Sequence, residues 1–151
     1  MRTIVFAVLA LSTLVSAAPA AAQDVMAEPT FATITLSAGF RPDPQMVQVV
    51  SGGDLEADGV GSSCTGHIAE SPDVRVNYSS GDYPLTFQVF ADDDTTLVIN
   101  APDGRWYCDD DGAGDLNPMV YFATPSSGAY DVFIGNYQDG NTDATLSISE
   151  E

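Results

Sequence analysis

Two runs of three aspartates, Asp92-Asp93-Asp94 and Asp109-Asp110-Asp111, have the most chemistry to offer in this chain, and Asp115 and Asn117 follow the second closely. Carboxylate and carboxamide oxygens are the donors that Ca2+ takes, six to eight at a time and in flexible geometry. Whether the runs act together depends on what joins them. Ala101-Pro102-Asp103-Gly104 is a hairpin signal. With Pro102 and Asp103 at the centre of the turn, Ile99 faces Trp106, Leu97 faces Cys108, Thr95 faces Asp110 and Asp94 faces Asp111. The two runs then meet at the open end of one hairpin. A pair of carboxylates about 6 Å apart repels by roughly 0.7 kcal/mol in water, and by about 3 kcal/mol at an effective dielectric of 20. Such a cluster either splays into water or shares a cation. Both readings stand: a calcium site from Asp92, Asp93, Asp94, Asp109, Asp110, Asp111, Asp115 and Asn117, or a solvated acidic face. It is not an EF-hand, because Gly112 lies too near the start of its run and no Glu closes the loop.

Other reactive constellations are missing. The one histidine is His67, and Gly61-Ser62-Ser63-Cys64-Thr65-Gly66 misses the spacing of a nucleophile elbow. There is no zinc motif, P-loop or dinucleotide fingerprint. No catalytic residue is assigned, and the class expected is a non-enzyme. Trp106 is expected to pack in the core, with stacking on a sugar ring as the alternative. Tyr83, Tyr121 and Tyr137 have no placement. Asn77-Tyr78-Ser79 matches a glycosylation acceptor, a pattern short enough to arise by chance.

The elements that would position these residues are strands. Alternation of apolar and polar residues runs through Ala32–Leu36, Met46–Val50, Val74–Tyr78, Leu85–Val89, Leu97–Ile99, Trp106–Cys108, Val120–Phe122, Tyr130–Ile134 and Ala144–Ile148. Turn residues separate them, at Arg41-Pro42-Asp43-Pro44, Ser51-Gly52-Gly53-Asp54, Ser80-Gly81-Asp82 and Pro125-Ser126-Ser127-Gly128. No segment carries a helical stripe. Eight or nine short strands at this spacing predict an all-β, antiparallel, jelly-roll-like sandwich.

Residues 1–22 read as a signal peptide: Arg2 precedes the apolar run Ile4 to Ala18, and Ala20-Ala21-Ala22 offers a small-residue cleavage site before Gln23. Export of a secreted or periplasmic protein is expected, with no membrane insertion and a single domain over 23–151. The chain of 151 residues holds 22 acids against four basic residues, for a net charge of −18. Loss of Arg2 with the leader leaves three arginines against the same 22 acids, a formal −19. Such a surface repels nucleic acid and anionic lipid. A hydrophobic content of 44% separates the chain from disordered acidic tails. In an exported protein the isolated pair Cys64 and Cys108 is expected to form one disulfide.

Several segments together resemble the bacterial pre-peptidase C-terminal domain. They are Pro84-Leu85-Thr86-Phe87-Gln88-Val89, Asp94-Thr95-Thr96-Leu97-Val98-Ile99, Pro102-Asp103-Gly104, the Asp109–Asp111 run, and Pro125-Ser126-Ser127-Gly128-Ala129-Tyr130-Asp131-Val132. The resemblance covers roughly residues 83–149. It implies a β-sandwich of the kind found beside secreted peptidases, sometimes calcium-stabilised. Those domains accompany a catalytic domain, and this chain contains none. The function expected is therefore an exported binding or accessory module for an extracellular protein or polysaccharide, with Ca2+ its one candidate cofactor. The alternatives are a small serine hydrolase using His67 and a structural subunit of a surface assembly.

Overall fold

The computed structural model describes residues 22–151. The leader expected over 1–22 therefore lies outside the described residues, save Ala22. The chain forms β1 (Ala32–Ser37), β2 (Gln45–Val50), β3 (Leu55–Glu56), β4 (His67–Ile68), β5 (Val74–Ser79), β6 (Leu85–Ala91), β7 (Thr95–Asn100), β8 (Trp106–Asp109), β9 (Met119–Phe122), β10 (Gly128–Asn136) and β11 (Asp143–Ser149). Each alternating segment of the sequence is a strand. The other two strands, β3 in the short Leu55-Glu56-Ala57 segment that follows the Ser51–Asp54 turn and β4, are two residues each, too short to show a period.

The strands make two sheets. In the smaller the order is β2-β11-β6-β9. In the larger, β10 is the axis: it pairs with β7, which carries β8, and with β5 and β4, which carry β1 and β3. All pairs are antiparallel except β1 with β5, which run parallel. Val74, Val76, Leu97, Ile99, Tyr130, Val132 and Ile134 of the larger sheet face Val49, Leu85, Phe87, Val89, Leu146 and Ile148 of the smaller, and together form the core. Each of these strands lends its apolar period to that one interface.

β7 and β10 are buried on both faces. The outer face carries a second cluster in which Val98 and Phe133 meet Ala57, Cys64 and Ile68, with Trp106 packed against Phe133 at a ring separation of 5.7 Å. The Cys64–Cys108 disulfide ties this covering segment down, its Cα atoms 5.1 Å apart. Trp106 thus belongs to the packed outer layer and not to an open stacking platform.

The hairpin register differs from the expectation by one residue. Leu97 pairs with Asp109, Val98 with Cys108, Ile99 with Tyr107 and Asn100 with Trp106. The reason is the turn. Gly104 N–H donates to the Ala101 carbonyl, Ala101 N–H donates to the Arg105 carbonyl, and Gly104 has φ +75°. The loop therefore holds three residues, with glycine in the left-handed position, and not two. A slip of one residue exchanges the two faces of a strand. Here it sends Cys108 outward beside Val98 and toward Cys64, while Tyr107 joins the inner core with Ile99.

Candidate functional site

Every passage between the sheets at one end of the sandwich is a polar loop. The chain crosses there four times: after β2 (51–54), between β6 and β7 (92–94), between β8 and β9 (110–118), and between β10 and β11 (137–142). These loops carry Asp54, Asp92, Asp93, Asp94, Asp110, Asp111, Asp115 and Asp139. They are laced to one another through the backbone. Thr95 N–H donates to the Leu116 carbonyl at 3.2 Å, and Tyr137 N–H donates to the Asp94 carbonyl at 3.0 Å.

The aspartates divide by role. Asp94 faces Asp110 and Asp111: desolvation first, then the repulsion of Asp111 and of Asp110, raises its pKa above the ordinary carboxylate value. Its Oδ1 is buried without a hydrogen-bond partner. Asp109 is engaged by the fold, since its Oδ2 accepts from Gly112 N–H at 2.7 Å and from Met119 N–H at 2.8 Å. Asn117 is likewise engaged, accepting from Ala91 N–H and donating to the Asp115 carbonyl. Asp92 and Asp93 are exposed. Asp115 and Leu116 take left-handed backbone angles, φ +53° and +63°. Among the described residues, no three side chains of His, Cys, Asp or Glu are arranged to hold a metal ion as they lie.

A pocket of about 320 Å³ opens at this end, lined by Asp93, Asp94, Asn136, Gln138, Asp139 and Asn141. Its floor is braced across the two sheets. Ser51 Oγ donates to Asn136 Oδ1, and Asn141 Nδ2 donates to the Ser51 carbonyl at 2.9 Å. The 136–141 half of this pocket is absent from the sequence reading. Its signal is the polar run Asn136-Tyr137-Gln138-Asp139-Gly140-Asn141 between two apolar strands.

His67 lies beside the pocket. Its Nε2 is 3.4 Å from Asp139 Oδ1 and its Nδ1 is 4.0 Å from Glu56 Oε1. Two carboxylates thus flank the ring, and among the described residues no hydroxyl or thiol hydrogen-bonds to it. That arrangement can hold an imidazole in place but supplies no nucleophile.

No family model matches the chain, and no curated protein matches it. Among solved structures it is similar to the crystal structure of Aeromonas hydrophila PliG, a periplasmic inhibitor of g-type lysozyme. The identity is 12%, over 78% of this chain and 96% of that one, with a TM-score of 0.38. A score of that size does not establish a shared fold, and a fold alone would not fix a role.

The cations of the described chain do little to offset this end. Arg75 is tied down on the outer face of the larger sheet, its Nε donating to Asp131 Oδ1 at 2.6 Å and its Nη2 to the Val25 carbonyl. Arg41 pairs with Asp43 and Glu151, and Arg105 with Asp103, all at the opposite end. The pocket therefore sits in a field of one sign.

Proposed function

We propose that the protein is an exported, non-catalytic binding or accessory module whose acidic end receives a positively charged surface of an extracellular protein. The observation that carries this reading is the pocket between Asp93, Asp94 and Asp139, framed by four acid-bearing crossovers and free of any arginine. A concave site of one charge speeds encounter with the opposite charge and fixes its orientation. The carboxamides of Gln138 and Asn141 offer both donors and acceptors to the backbone around an inserted Lys or Arg. The family reading that goes with this is a free-standing relative of the pre-peptidase C-terminal domain, on the motifs quoted above.

The test is fluorescence anisotropy with labelled Lys- and Arg-containing peptides. Wild type is compared with the triple variant Asp93→Asn/Asp94→Asn/Asp139→Asn and with the far-end triple Asp82→Asn/Asp103→Asn/Glu151→Gln. The pocket triple is expected to weaken binding about tenfold or more, the far-end triple by less than about twofold, with steep salt dependence throughout. Equal losses from both triples would mean a diffuse field and no site.

A second reading, favoured by the unpartnered Oδ1 of Asp94, is that Asp94, Asp110 and Asp111 close around a Ca2+ ion. The ion would offset the burial and the repulsion that together raise the Asp94 pKa, and its shell would be completed by Asp92, Asp93, Asp115 or water. Asp109 and Asn117 would then shape the loop that presents the ligands, through the bonds they already make.

A further inference from the structure

The outer face of the smaller sheet differs in kind from the rest of this protein. Its outward residues are Met46, Gln48 and Val50 on β2, Thr145, Ser147 and Ser149 on β11, Thr86, Gln88 and Phe90 on β6, and Met119 and Tyr121 on β9. In a chain of net charge −18 this face has one acid within its strands, Asp143 at a corner.

The register sorts these side chains by height. One row across the sheet reads Met46, Ser147, Gln88, Met119, and the next reads Ser149, Thr86, Tyr121. Directly paired residues project from the same face. Small hydroxyl side chains thus form the floor on β11 and β6, while larger apolar ones rise on the outer strands β2 and β9. The outcome is a groove of about 390 Å³, walled by Tyr121 and Met119 on one side and Pro44 on the other, with Glu151 at one end. The Tyr121 side is open, the residue being 58% exposed.

We propose that this groove binds a neutral oligosaccharide chain. An exposed aromatic ring offers a flat apolar platform for the C–H face of a sugar. The hydroxyls of Ser147, Ser149 and Thr86 and the carboxamide of Gln88 each donate and accept, as a polyol does. The strands bring no charged side chain to the groove, Asp143 lying at the far end of β11 and Glu151 only at the groove's end, which suits a ligand without charge. A peptide strand would gain little here, because the backbone amides beneath this face are already paired within the sheet and peptides add at sheet edges. A second copy of the chain would lay its own outer strands across the walls and leave the hydroxyl floor unpaired. The site is separate from the acidic end, so each proposal stands or falls without the other.

The experiment is titration calorimetry of the full chain with neutral gluco-, xylo-, manno- and N-acetylhexosamine oligomers of four to six units. At least one series is expected to bind with a Kd below about 1 mM. Tyr121→Ala, at an exposed position, is expected to weaken it about tenfold and Gln88→Ala about threefold, while Tyr137→Ala on the 137–142 crossover changes it less than about twofold. The Asp93/Asp94/Asp139 triple is expected to leave it unchanged. Absence of binding across all series at about 5 mM overturns the proposal, as does binding indifferent to Tyr121→Ala. Self-association on a sizing column that Tyr121→Ala abolishes, without sugar binding, would overturn it in favour of a second copy.

Discussion

The carboxylate of Asp73 accepts the backbone N–H of Ile134 at 2.6 Å, and in doing so fills a gap in the larger sheet. β10 is paired along this edge by β5 as far as Val132 and by β4 at Asn136. Between them a buried side chain takes the place of a strand, while the Ile134 carbonyl accepts from Gly52 N–H. Burial pushes the Asp73 pKa up to about 7, against the lowering effect of the Ile134 bond.

This sets a pH dependence with a definite sign. An unfolded Asp titrates near 3.8 and the folded one near 7, so between those values the native state holds more protons. Stability is fully present below about pH 4 for this group and falls as pH rises through 7, by at most about 1.4 kcal/mol per pH unit. Asp94, whose pKa is also raised, acts in the same direction. Asp73→Asn keeps an acceptor for Ile134 and is expected to flatten the slope in urea melts between pH 4 and 8. An unchanged slope in that variant would assign the dependence elsewhere.

At the other end of the sandwich Glu150 is buried and doubly engaged. Its Oε1 accepts from the Tyr78 hydroxyl at 2.6 Å and its Oε2 from Gly39 N–H at 2.8 Å. Burial, and then the bond to Glu150, raises the Tyr78 pKa. Glu150→Ala strands the buried Tyr78 hydroxyl and frees the partly exposed Gly39 N–H, and is expected to cost about 1–3 kcal/mol, read by denaturant midpoint. Tyr78→Phe removes one donor and is expected to cost less.

The disulfide closes a loop of sequence separation 44. In the chain-entropy view it contributes about 4 kcal/mol. Cys64→Ala/Cys108→Ala is expected to lower the melting temperature and to admit proteases between residues 55 and 66, with the inter-sheet core kept. Limited proteolysis followed by mass spectrometry locates the cut.

Calcium is tested by melting the protein with chelator and with millimolar Ca2+. A site at 100 times its dissociation constant is expected to add about 2.7 kcal/mol. Asp94→Asn, Asp110→Asn and Asp111→Asn should each reduce the shift. No shift at millimolar calcium rejects the site.

Much of this architecture is legible in the residues. The nine alternating segments are strands because their apolar sides have one interface to fill, and Cys64 and Cys108 had only each other. The register of β7 on β8 was not legible to the residue. Pro102-Asp103-Gly104 accommodates a two- or a three-residue turn, and only the choice of the left-handed position at Gly104 decides. The outer layer was hidden for a different reason: Phe133 and Val98 lie on faces that alternation assigns to solvent, and are buried by a loop with no period of its own. At the acidic end, proximity of Asp94 to Asp110 and Asp111 survived the slip, because a shift of one residue is small against a side chain's reach. The contribution of Asp139 and Asn141 required knowing that two inter-sheet passages leave from the same rim.

The clasp between Cys64 and Cys108 also makes completion of this molecule depend on its surroundings. Where thiols stay reduced, only packing and the short β3–β4 and β4–β10 pairings hold the 55–66 flap over Val98, Phe133 and Trp106, and any loosening of it would bare a greasy strip on the widest sheet. Oxidation shuts it. The chain would thus be safest to handle only after leaving a reducing cytosol, and a cell that made it there and kept it there would be storing a protein prone to clump.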